Sequence, residues 1–142
     1  MIDPESQVRA VLEDMAAAIR AKDVDLVMAR YAPDVVAFDL LPPLRYKGAE
    51  AIRERLSAWF SSFRGTIGFE MREPCIAAAD DIAFCHSLNR VNGATNSGAT
   101  IEMWWRATNC FRKIDHRWLV THAHSSEPFD MASGKALTDL RP

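Results

Sequence analysis

The chain has 142 residues, 49% apolar and 25% charged, the composition of one ordinary globular domain rather than a disordered segment. Its formal charge is −2 and its lysines and arginines form no basic run, which argues against a nucleic-acid partner. A chain this long buries roughly two thirds of its unfolded surface and needs no staple; Cys75, Cys85 and Cys110, odd in number and without a Cys-x-x-Cys, read as free thiols in a reducing, cytoplasmic setting.

The start, Met1-Ile2-Asp3-Pro4-Glu5, lacks the positive region and apolar core of a signal peptide. No stretch approaches the roughly 18 uncharged apolar residues that cross a bilayer, so no membrane partner is expected. Asp3 followed by Pro4 predicts a helix start, a capping side chain and then a ring with a pre-set φ. Val8, Val11, Leu12, Met15, Ala18 and Ile19 continue it as one apolar stripe to about Lys22. Asp23 predicts a second, short helix carrying Leu26, Val27 and Tyr31, ended by Pro33-Asp34, with a strand from Val35 to Asp39. Two adjacent prolines, Pro42 and Pro43, make Leu40 to Lys47 irregular. Gly48 opens a third helix with the stripe Ile52, Leu56, Trp59, Phe60 and Phe63, closed by Gly65.

The period then changes from near four to two. Residues 66–76, 82–92, 98–112 and 117–126 read as four longer strands, with turns at 78–81, 93–97 and Asp115-His116. A tail runs from Pro128 to Pro142, with residues 129–142 expected to dock because Phe129 and Leu137 are too apolar for a free end. Three helices against one face of a curved, mostly antiparallel sheet make a single α+β domain over residues 1–142. Such a sheet leaves a hollow at its wide end, one apolar pocket.

The run Tyr31 to Asp39, the loop to Gly48, and Ala51-Ile52-Arg53-Glu54 resemble, without a gap, the corresponding run of the ketosteroid isomerases. Trp118 to Ser126, with His122-Ala123-His124-Ser125, resembles the ending of SnoaL-like proteins and of the calcium/calmodulin-dependent kinase association domain. The resemblance covers nearly the whole chain and implies the NTF2-like cone. It does not settle function, because that superfamily hosts isomerases, dehydratases, cyclases, epoxide hydrolases and non-catalytic binding modules.

Asp39 ends an apolar strand before a proline-bearing loop. Desolvation in a dry pocket raises a carboxyl's pKa and makes it a usable general base; the plainer alternative is a turn aspartate bonded to local amides. The resemblance puts Asp39 on the isomerases' proton-shuttling aspartate. It also puts Met15 where they carry a donor tyrosine, and their sheet acid near Ala107 to Asn109, where no carboxyl stands. Losing one oxyanion donor costs about a hundred- to a thousandfold in rate, which argues against true steroid isomerisation.

In an unbulged strand His122 and His124 share a face with Trp118 and Val120, and so face the pocket, either as proton shuttles or as groups bonded to backbone or a partner. With Asp39 they could also ligate zinc, but no further ligand motif accompanies them, and neither metal nor cofactor is expected. The next strand offers Trp104/Arg106/Thr108 or Trp105/Ala107/Asn109 as lining, depending on the length of the Asp115-His116 turn. The first set is preferred because it gives the histidines a polar partner, and Arg106 could hold an anionic group. His86 is a weaker candidate with the same register question, and Trp59 supplies an aromatic wall. Thr121, Ala123 and Ser125 alternate with the histidines and suit close packing of a second sheet, so a homodimer is expected.

Two classes of function fit this pattern. One is an enzyme abstracting a proton from a small apolar or cyclic substrate, with Asp39 as base and His122, His124 or Arg106 polarising. The other is a non-catalytic binding or association domain.

Overall fold

The computed structural model describes residues 2–142. Asp3 caps the first helix through Oδ1, which accepts the Ser6 amide at 2.9 Å. α1 (Pro4–Arg20) then buries Val8, Val11, Leu12, Met15 and Ile19. Asp23 caps α2 (Val24–Met28) by accepting the Leu26 amide at 3.0 Å.

α2 is shorter than its sequence predicts. Tyr31 does not ride on it and Pro33-Asp34 does not end it, because β1 (Tyr31–Phe38) already begins at Tyr31. Pro33 is tolerated inside β1 because the strand slips register between Tyr31 and Val36, where its missing donor breaks no ladder bond. After an irregular loop, β2 (Tyr46–Lys47) pairs with β1, a two-residue strand that the prolines conceal. Gly48 takes φ 91°, a left-handed conformation that glycine enters freely, and α3 (Ala49–Ser61) follows.

β3 (Phe63–Ala78), β4 (Ile82–Thr95), β5 (Thr100–Ile114) and β6 (Arg117–Ser126) form the expected antiparallel meander. The full sheet has the order β2-β1-β6-β5-β4-β3, with β1 parallel to β6. It is therefore mixed, and with the helices it makes the α+β cone. β3 slips register twice, the second time between Arg72 and Cys75, where Glu73 takes φ 52°. Such bulges bend a sheet.

Val8, Val35, Phe111 and Val120, all 0% exposed, fill the core between α1 and the sheet. The tail pairs Phe129 with Ala136 and returns to the sheet through Arg141, 3.1 Å from Glu102. Leu137 is half-buried, but Phe129 stays exposed. No helix among the described residues is long and apolar enough to cross a membrane.

Candidate functional site

The geometry of the site is set by one residue in β6. The β5–β6 hairpin turns on Asp115-His116, both at positive φ (50° and 65°), so Ile114 pairs with Arg117 and the turn has two residues. The register then slips between Cys110 and Phe111: Phe111 pairs with Val120, but Cys110 pairs with His122, leaving Thr121 as an extra residue. An extra residue in a strand with period two exchanges its faces. Trp118 and Val120 face the core before Thr121; Ala123 and Ser125 face inward after it.

Behind those two small residues lies a cavity of about 200 Å³. Met15 and Ile19 of α1 and Ile52, Leu56 and Trp59 of α3 cover it. Phe69, Met71, Met103 and Trp105 form apolar parts of the sheet wall, and Trp59 meets Trp105 edge-on at 6.3 Å. The polar lining is Tyr31, Asp39, Tyr46 and Arg55, with Asn89, Thr108, Asn109, His124 and Ser125 on the sheet. An apolar cavity with a few placed polar groups is the usual form of a small-molecule site.

Asp39 follows the end of β1 and meets Arg55, which α3 presents one turn before Trp59. Arg55 Nε lies 2.7 Å from Asp39 Oδ2, with about a fifth of each side chain exposed. Asp39 Oδ1 accepts the Leu40 amide at 2.6 Å. The carboxylate thus has a charged partner and a backbone donor, where the sequence reading foresaw either an isolated base or a turn aspartate. Tyr31 stands near this charge. Burial, and secondarily the Asp39 charge, push its phenol up to about 12, so it remains a neutral O–H donor at ordinary pH.

Of the residues preferred from sequence, Met15, Asp39, Trp59, Thr108 and His124 line the cavity. Trp104, Arg106 and His86 do not, and their assignment as pocket lining is corrected. They occupy the outer face of the sheet, because β4 and β5 pair Arg90 with Trp104, Leu88 with Arg106 and His86 with Thr108. There Arg72 stacks 4.5 Å over Trp104, Arg106 Nε donates to Ser126 Oγ at 3.1 Å, and His86 is exposed.

His122 is corrected too, and His124 is not. The two pair opposite Cys110 and Thr108, the polar strand face expected for them; Thr108 and His124 reach the cavity lining, and Cys110 and His122 do not. His122 Nδ1 bonds the Val36 carbonyl oxygen at 2.7 Å, and Phe38 packs edge-on against both rings. His124 is exposed at its place in the lining. Among the described residues no group of three His, Cys, Asp or Glu side chains could hold a metal ion.

Sequence reasoning missed Arg55, Tyr31 and Asn89, and it placed Asn109 in the less favoured lining set, Trp105/Ala107/Asn109, all three of which line the cavity. For Arg55 a signal existed: it falls among Ile52, Leu56 and Trp59 at helical spacing, a cation inside an apolar stripe. The two asparagines needed the strand register, which the bulge conceals.

A family model, the SnoaL-like domain, matches residues 8–130. Among solved structures, the chain is similar to an NTF2-like protein of unknown function from Pseudomonas putida KT2440: 36% identity, 97% of this chain and 96% of that one covered, TM-score 0.88. It shares its fold with an NTF2-like superfamily protein from Salmonella enterica subsp. enterica serovar Typhimurium str. LT2 at 16% identity, 94% and 96% coverage and TM-score 0.77. A ketosteroid isomerase-like protein from Erwinia carotovora atroseptica SCRI1043 shares it at 18% identity, 86% and 94% coverage and TM-score 0.73. No curated protein matches significantly.

Proposed function

This chain belongs to the SnoaL-like domain family, and from that premise we propose that its cavity binds a small apolar or cyclic molecule on which Asp39 acts as a general base. The reactions that fit are proton abstraction beside a carbonyl, dehydration and cyclisation. The observation that carries this reading is the Asp39–Arg55 pair in the wall of an otherwise apolar cavity. An ion pair withdrawn from water is a poor stabilising device, because desolvation offsets most of its attraction. A carboxylate accepts at about four lone-pair sites. The Leu40 amide occupies one, and Arg55 Nε stands beside the group as a charge without a hydrogen bond, which leaves capacity toward a substrate proton. Tyr31 stays protonated and can donate to an oxygen that gains charge. Steroid isomerisation is not proposed: Met15 offers no donor, and the cavity is small beside the roughly 300–1,000 Å³ of drug-sized sites.

The test is hydrogen–deuterium exchange at the carbons next to the carbonyl of cyclohexanone and 2-cyclohexen-1-one, followed by NMR in D₂O. The parent protein should accelerate exchange, and Asp39→Asn should slow it by about a hundredfold or more. The Leu40 amide bond to Asp39 favours a second reading, a non-catalytic binding module. Ligand binding without any exchange above that of Asp39→Asn would select it.

The chain is also proposed to form a homodimer. Ala123 and Ser125 face inward and no longer argue for it. The outer sheet face does, because it leaves Phe38, Ile82 and Phe84 exposed by 38%, 48% and 49%. A scattering mass of one chain at micromolar concentration would refute it.

A further inference from the structure

We infer that the sheet wall of the cavity holds a basin for a neutral oxygen, centred on Ala107, and that the ligand is an uncharged one-ring compound bearing a carbonyl or hydroxyl group. The inference rests on the proposed ligand-binding role of the cavity and specifies its substrate class. Strand register builds the basin. Ala107 faces inward between Ser87 on β4 and Ser125 on β6, its direct cross-strand partners. Asn109 is its next inward neighbour along β5, and Asn89 is its diagonal neighbour on β4. Direct partners place their Cβ atoms about 5 Å apart and diagonal ones about 7 Å, so these four polar side chains ring one methyl group. Ala107 is the small residue that leaves room between them.

The ring is neutral and incompletely satisfied. Asn89 and Asn109 are only 5% and 8% exposed. Ser87 Oγ donates to Asn89 Oδ1 at 2.7 Å, which orients that amide and leaves its NH₂ free to donate. The Asn109 amide and the Ser125 hydroxyl both line the cavity, and neither is among the sealed polar atoms without a partner, so they are open toward it. Polar groups that face a cavity are satisfied when a ligand or water supplies the bond. Hydroxyl and carboxamide groups both donate and accept, so a ketone or an alcohol fits equally.

Charge argues against an anion. Among the described residues Arg55 is the only Lys or Arg side chain in the lining and Asp39 lies 2.7 Å from it, while His124 is exposed, so an anionic ligand finds no buried free counter-ion. Size gives the ring count. An apolar cavity of about 150 Å³ accepts benzene, and the present 200 Å³ adds room for one substituent.

Ligand-observed NMR titration with phenol, toluene and benzoate tests this. Phenol should bind about fivefold tighter than toluene, the worth of one neutral hydrogen bond. Benzoate should bind about tenfold or more weaker than phenol, an anion buried without a partner. Asn109→Leu should bring phenol down to the level of toluene, and retained toluene binding shows that the variant's pocket is still formed. Ala107→Val should weaken phenol by filling the basin. Equal affinity of phenol and toluene in the parent overturns the basin, and tighter binding of benzoate overturns its neutrality. Binding of a two-ring probe such as 2-naphthol, without any of the three, overturns the one-ring class but leaves the pocket's ligand-binding role standing. Asp39 takes no part in the basin, so proton exchange and the phenol preference can each fail alone.

Discussion

The two halves of β6 do opposite work. From Arg117 to Val120 the inward residues are large: Trp118 and Val120, 4% and 0% exposed, pack into the core. From His122 to Ser126 they are Ala123 and Ser125, and the bulky histidines point out. One surplus residue, Thr121, separates the halves. Had Thr121 taken a regular place in the ladder, His122 and His124 would continue the inward row, and the space that now lies over Ala123 and Ser125 would be filled. The hollow is therefore a consequence of register, and small residues stand where the register turns them inward. Stability and site occupy one strand and meet at a bulge.

The largest expected effect is a contrast between single residues. Trp118→Ala removes a buried indole and the bond its N–H makes to Gln7 Oε1 at 2.8 Å, and should cost about 3–5 kcal/mol. Ser125→Ala, seven residues on, should stay within about 0.5 kcal/mol. Similar costs at both positions would erase the distinction between a packed half and an open one.

The helices were legible in the sequence for a local reason. Asp3 and Asp23 cap where they stand, and the apolar stripe of α1 needs no distant partner to be read. The meander was legible too, but the length of its Asp115-His116 turn was not. Nor was the bulge, because Thr121 is an ordinary β-branched strand residue and a bulge needs no glycine or proline. That single hidden residue keeps His122 out of the lining. It also tied the choice between Trp104/Arg106/Thr108 and Trp105/Ala107/Asn109 to an unbulged partner strand. Asp39 was legible by position, but its partner Arg55 lies on another element, and only the packing of α3 on β1 brings the charges together.

Tyr31 extends the comparison to pH, since it pairs with Val120 on the core side of the bulge. Its phenol ionises near 10.0 when unfolded and is pushed up to about 12 when folded. The folded chain thus holds the proton more tightly. The stabilisation is complete below pH 10 and is lost as pH rises toward 12, by up to about 2 kcal/mol after discounting for partial exposure. Melts at pH 9 and pH 11.5 should reveal the loss, and Tyr31→Phe should flatten it. A parent curve as flat as that of the variant would place the hydroxyl in water.

The smallest effect belongs to the far end of the open half. Glu127 follows the last residue of β6, and its Oε1 is buried without a hydrogen-bond partner. Desolvation raises its carboxyl above the usual 4.5, with Arg106 opposing. A raised carboxyl holds its proton more tightly in the folded chain, so its contribution is present below pH 4.5 and is lost as pH rises through the folded value. Glu127→Gln removes that dependence. The variant should match the parent near pH 4 and exceed it at pH 7 by about 0.5 kcal/mol, the modest relief of one half-exposed carboxylate. Urea melts at the two pH values measure the difference. A variant less stable than the parent at pH 7 would mean that Glu127 serves Arg106 as a working counter-ion. The open half of β6 would then be held by charge where the core half is held by packing.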